Sequence, residues 1–183
     1  MKRVLVIMVL MLTLSAAPAM AKEGFFVGAS LIPSVDISGD AGKGLNDGSG
    51  YAFRLGLGFS KYFSIEGVLE RMEMDMTGGG KMDLDGVGVN ARLNFPLTTL
   101  DSAKVMSFEP YVLAGYGMYD AKTPGGTSNS GNGFRLGIGI EQYLFRELSV
   151  NIGYTSTSVT FDTNPKLDGT IRVIDIGLIY HFL

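Results

Sequence analysis

Few side chains in this 183-residue sequence are equipped for chemistry. With no cysteine there is no disulfide, no thiolate metal site and no Cys nucleophile. His181 is the one histidine, and to serve as a base it would need a nucleophile and a carboxylate brought to it from distant parts of the chain. The most concentrated pattern flanks Gly78-Gly79-Gly80. There Met72-Glu73-Met74-Asp75-Met76 and Lys81-Met82-Asp83-Leu84-Asp85 alternate Met or Leu with acids. On a strand Glu73, Asp75, Asp83 and Asp85 share one face, and hard carboxylate oxygens suit Ca²⁺ or Mg²⁺. Asp83-x-Asp85-Gly86 lacks the spacing of a calcium loop, so solvated acids are the simpler account and no cofactor is expected. The methionines offer soft sulfur to copper, but apolar side chains turned outward on a strand explain them more simply.

The elements that must position these residues are strands. In Tyr51-Ala52-Phe53-Arg54-Leu55-Gly56-Leu57-Gly58-Phe59 every odd residue is large and apolar or aromatic, and every even one is Ala, Gly or Arg. The same alternation runs through residues 25–37, 87–95, 134–141, 148–155 and 174–182, and less cleanly through 63–76 and 108–119, where the apolar face of the latter is left open. That makes eight strands and no convincing helix. In the 72–85 hairpin the apolar parity is even, whereas Phe63, Ile65, Val87 and Val89 are odd, which predicts paired bulges near Glu70-Arg71 and Gly86.

Met1-Lys2-Arg3, an apolar run and Ala19-Met20-Ala21 form a signal peptide pattern over residues 1–21, leaving 22–183 as one domain. Acids then outnumber bases, and no Lys/Arg cluster suggests nucleic acid as a partner. Connections 60–62 and 144–146 are tight and 98–107 is medium. Residues 38–50, 77–81, 121–133 and 162–170 read mostly as longer polar loops. Short turns at one end and long loops at the other are the pattern of an outer-membrane barrel. Phe25, Phe59, Tyr62, Phe63, Phe95, Phe108, Tyr111, Tyr143, Phe145, Tyr180 and Phe182 collect at the short-turn end as a candidate interfacial girdle.

The opposite strand face carries Gly, Ala, Ser, Asn and the charges Arg54, Glu66, Glu70, Arg92, Arg135, Glu141 and Asp175. If the apolar face meets lipid, this polar face lines a narrow interior. The abundant glycine, 26 residues, then gives long Arg and Glu side chains room. The charges read either as a static plug of mutual pairs or as a gated ion path whose pairs switch; the plug is favoured because eight strands leave no open lumen.

Asp175-Ile176-Gly177-Leu178-Ile179-Tyr180-His181-Phe182 resembles the C-terminal assembly signal of outer-membrane barrels, with Gly177, Tyr180 and Phe182 as its key residues. With Pro110-Tyr111-Val112-Leu113-Ala114-Gly115-Tyr116-Gly117 and Arg135-Leu136-Gly137-Ile138-Gly139-Ile140-Glu141, the chain resembles the OmpA/OmpX-like eight-stranded outer-membrane β-barrel family. Leu183 departs from that pattern, which ends on the aromatic. The resemblance implies an all-β, antiparallel up-and-down transmembrane barrel, monomeric, surrounded by outer-membrane lipid and lipopolysaccharide and inserted by the barrel-assembly machinery, without a peptidoglycan-binding domain. The function it implies is structural and surface-interactive, and a small low-conductance porin-like channel is the alternative. A lipid-modifying enzyme is the weakest reading, because His181 sits at the periplasmic rim and lacks the His-x-Ser spacing of the outer-membrane lipid deacylases. A soluble periplasmic ligand-binding barrel is the rival fold-level reading.

Overall fold

Alternating large apolar and small or polar residues can satisfy both faces of a sheet only if the sheet separates two media. The computed structural model, which describes residues 24–97, 107–123, 125 and 128–182, solves this by closure. The strands are β1 (Gly24–Gly39), β2 (Leu45–Ser60), β3 (Phe63–Met76), β4 (Lys81–Asn94), β5 (Phe108–Lys122), β6 (Ser128–Tyr143), β7 (Leu148–Phe161) and β8 (Leu167–His181). Each pairs antiparallel with the next and β8 returns to β1, so no edge is left unpaired. One 3₁₀ turn, Asp40–Gly42, follows β1. The expected signal peptide, residues 1–21, and Leu183 lie outside the described residues.

The lower part of the barrel is inside-out relative to a soluble protein. Along β2, Tyr51, Phe53, Leu55 and Phe59 face outward and are exposed, while Ala52 and Arg54 are buried. At about 3.3 Å per residue and a tilt of about 40°, that stretch spans about 20 Å, close to the apolar band of an outer-membrane barrel. The face left open on β5 is settled: Phe108, Val112, Tyr116 and Met118 point out, and Glu109, Tyr111, Leu113 and Tyr119 point in. Tyr111 and Tyr143, both expected in the girdle, are therefore interior. Phe59, Tyr62, Phe95, Phe108, Phe145, Tyr180 and Phe182 do face outward at the short-turn end.

Above this band the pattern inverts. Ile32, Val35, Ile37, Met72, Met74, Met82, Leu84, Phe161, Ile171 and Val173 form a buried apolar core inside the barrel, and Arg71, Glu73, Asp75 and Lys81 are exposed outside it. The two expected bulges are absent. β3 and β4 pair without a register shift from Phe63↔Leu93 to Asp75↔Lys81. What changes along them is the outer medium, so the sequence parity flips while the backbone continues. The methionines accordingly point inward, against the expectation of an outward stripe. β1 does the opposite: its register shifts between Ile32 and Val35 against β2, and between Leu31 and Ser34 against β8. The bulge moves Val35 and Ile37 to the inner face, so odd apolar parity persists in the sequence across the same boundary.

The strands also run further than expected into the segments read as long loops. Residues 45–50, 128–133 and 167–170 belong to strands, because ladder hydrogen bonds accept Ser, Asn, Thr and Gly where water covers the outer face. Between β3 and β4 only residues 77–80 remain as turn. Gly79 and Gly80 hold φ of 86° and 97° there, and the Met76 amide donates to the Gly80 carbonyl at 3.0 Å. The end opposite the girdle is thus a rim of extended β-strands.

Parity can be read as stability. Met74→Ala, which empties a buried site, is expected to cost about 2–5 kcal/mol, whereas Glu73→Ala should stay within about 0.5 kcal/mol. Urea unfolding of the barrel in phospholipid vesicles measures both, and the paired-bulge register would reverse their order.

Candidate functional site

Seven charges that alternate with lipid-facing residues must point into the barrel, and all seven are buried: Arg54, Glu66, Glu70, Arg92, Arg135, Glu141 and Asp175. They are sorted into separate pairs. Arg135 reaches Glu70 with both terminal nitrogens, at 2.9 and 2.7 Å. Arg54 donates to Asp175 at 2.6 Å and to Ser30 at 3.1 Å. Arg92, 2% exposed, donates to Glu141 and, through Nε, to Asn94 at 2.7 Å, and its guanidinium lies 3.7 Å from the Tyr111 ring centroid. Glu66, the fourth carboxylate, accepts from Asn90 at 3.0 Å. Asn151 adds a 2.9 Å bond to Asp175. A buried charge left without such partners would be very costly, so the pairs hold one another in place.

Glycine makes this packing possible. A Cβ added at Gly139 would lie 2.3 Å from the Tyr111 ring, at Gly56 2.2 Å from Phe26, and at Gly177 2.2 Å from Ser30 Oγ. Spaces in the charged layer are small, about 20 Å³ beside Arg92 and about 10 Å³ beside Glu66. Each is of the order of one water. Neither is a lumen.

At the periplasmic end the structure assembles what sequence spacing did not reveal. Ser149 Oγ donates to Glu141 Oε1 at 2.6 Å, His181 Nε2 lies 2.7 Å from the same oxygen, and Ser149 and His181 are 3.3 Å apart. Serine, histidine and glutamate do converge, but not as a relay. One nitrogen, Nε2, faces both partners, whereas a nucleophilic relay uses the two ring nitrogens separately. Ser149 is also 0% exposed, closed to any substrate. The histidine instead packs on the Phe26 and Tyr143 rings at 5.7 and 5.2 Å and tethers β8 to β6.

Glu73, Asp75, Asp83 and Asp85 do share the outer face of the upper hairpin, where cations interleave with them. Lys81 pairs with Glu73 at 2.5 Å, Lys122 with Asp85 at 2.7 Å, and Arg71 lies 3.8 Å from both Asp83 and Asp85. The hydrogen bond from Lys81 to Glu73, then the charge of that carboxylate, raises the Lys81 pKa. Among the described residues no three metal-ligating side chains stand close enough to hold an ion. At the seam Gly177 packs inward against Ser30, and Tyr180 and Phe182 face outward. The Phe182 amide donates to the Phe25 carbonyl at 2.9 Å, and their rings stack at 5.3 Å.

Sequence reasoning missed the inward Glu109 and Tyr111, and gave the inward Asn90, Ser149 and Asn151 no part in the charge network. The strand-wide alternation of β4 and β7 placed Asn90, Ser149 and Asn151 on the inner face, and the signal was available. For β5 it was not, because both parities contain apolar residues. Two measurements follow. Arg135→Met alone should destabilise the barrel by about 3–5 kcal/mol, with most of the loss recovered by adding Glu70→Met. His181→Ala should cost about 1–3 kcal/mol by stripping bonds from buried Glu141 and Ser149; denaturant midpoints of the refolded barrel report both.

The folds of solved barrels match. Neisserial surface protein A superposes with TM-score 0.60 at 15% identity, covering 86% of this chain and 97% of that one. Ail, the attachment invasion locus protein of Yersinia pestis, gives 0.55 at 15% identity, with 87% and 99% covered. The N-terminal barrel of OprF from Pseudomonas aeruginosa gives 0.50 at 12%, with 85% and 97% covered. No curated protein matches by sequence. The family model for the outer membrane protein beta-barrel domain, however, matches residues 4–182. That match spans nearly the whole chain, which belongs to the outer membrane protein beta-barrel domain family.

Proposed function

We propose that this barrel is a structural and surface-contact protein of the outer membrane, without catalytic activity. The observation that carries this reading is the doubly filled interior: paired charges at membrane depth and an apolar core above them. Among the described residues the interior is packed with these pairs and this core, which directs the reading to the outer surfaces. The upper rim presents Arg71, Glu73, Asp75, Lys81, Asp83, Asp85 and Lys122 to the medium on strands rather than on loops. Two fold neighbours are, by name, a surface protein and an attachment protein, which agrees with this reading.

The proposal includes export through the signal peptide at residues 1–21, a monomer in lipid and lipopolysaccharide, and assembly guided by Gly177, Tyr180 and Phe182. The four acids of the hairpin serve as solvated contact groups, with divalent bridging to lipopolysaccharide phosphates as their secondary use. A low-conductance channel is the second reading, favoured only by the charges lining the interior. Charge reversal of Glu73, Asp75, Asp83 and Asp85 to lysine should leave heat-modifiable gel migration unchanged while altering attachment of whole cells or their detergent sensitivity. The same protein in planar bilayers should show no large sustained conductance. Unaltered cells together with steady ion current would reject the surface reading in favour of the pore.

A further inference from the structure

At the outer mouth of the barrel the apolar core does not end flush with the rim. Ile37, Leu45, Met76, Met82, Phe161 and Leu167 surround a cup of about 180 Å³ that opens toward the extracellular medium. Its floor is the core itself, since Ile37, Met82 and Phe161 belong to both and Met74 and Leu84 below them are fully buried. Nothing entering the cup can pass through. From the geometry we propose that it is a binding site for one small neutral apolar molecule of about the size of a single aromatic ring.

Three observations set that chemistry. Enclosed apolar cavities of roughly 150 Å³ take up benzene or xenon, and this cup has a similar volume and an apolar floor, although its top is open to water. The rim offers little to an ion: its one charged side chain, Lys43, is paired with Asp40 at 2.7 Å, Thr163 Oγ donates to the Pro165 carbonyl at 2.6 Å, and the remaining polar lining, Thr123 and Asn129, is neutral. The closed floor excludes a full acyl chain, which would need length rather than width. Ring-shaped ligands are further favoured by the Phe161 side chain, which Gly131 lets lie close to the wall. A Cβ at Gly131 would come within 2.6 Å of that ring.

The methionines provide the assay. The full barrel, labelled with ¹³C at Met methyls and placed in phospholipid nanodiscs, is titrated with benzene. Met76 and Met82 line the cup, and Met118 faces lipid. The expected result is a saturable shift at Met76 and Met82, with Met118 changing only in proportion to benzene dissolved in the bilayer. Ala121→Phe and, separately, Leu45→Phe fill the cup from β5 and β2 and should abolish the saturable shift; heat-modifiable migration identifies which variants are folded. Shifts at Met76 and Met82 that merely track Met118, or saturation that persists in a folded filled variant, would overturn the site. Because the wild-type titration stands alone, failure of both variants to fold does not rescue a linear response.

Discussion

Each strand of this protein crosses one boundary, between hydrocarbon and water, on its outer side, and every side-chain choice depends on where that boundary falls. Below it, the outer face must be apolar and the backbone must be satisfied within the sheet. A closed ladder supplies the second requirement. The inner face is then the only place left for polar groups, and the narrow interior obliges them to pair. Above it the outer face returns to water, and hydrophobic burial moves inside, where Met72, Met74, Leu84 and Ile171 pack as in a soluble core.

The paired charges and the glycines are two halves of one packing solution. Arg135 with Glu70, Arg54 with Asp175 and Arg92 with Glu141 cross the interior, and they fit because Gly88, Gly28 and Gly153 beside them carry no side chain. A Cβ at Gly88 would lie 2.8 Å from Arg135, at Gly28 2.8 Å from Arg54, and at Gly153 2.5 Å from Asp175. The interior is closed twice by different physics, electrostatic pairing in the membrane and dispersion packing above it. Opening a path would require both to yield. That is why the outer surfaces, rather than the interior, carry the proposed function.

Much of this was legible from alternation alone. The eight strands, the inward charges and the role of glycine follow from period-2 patterning, because a barrel wall gives each residue only two destinations. The errors of register in β1, β3 and β4 share one cause: parity was taken to report backbone register when it reports the product of register and outer medium. In β3 and β4 the medium changed and the register did not, so an inversion at Met72 and Leu84 was read as bulges. In β1 both changed between Ile32 and Val35, so the sequence looked uninterrupted. The Ser149–Glu141–His181 cluster lay beyond sequence reasoning for another reason. The up-and-down topology sets β6, β7 and β8 side by side, but alternation does not encode the register that places Ser149 opposite Tyr143 and Ile179.

The inversion is tested most directly by a nitroxide scan along β3, one label at a time from Ile65 to Asp75, with accessibility to oxygen and to a water-soluble paramagnetic complex measured in lipid bilayers. Labels at 65, 67 and 69 should meet oxygen-rich lipid, labels at 71, 73 and 75 should meet the aqueous complex, and even positions should be shielded from both throughout. Accessible labels at 72 and 74 with shielded labels at 73 and 75 would mean that the strand slips by one residue at the membrane edge, and the account of a continuous wall between exchanged media would be wrong.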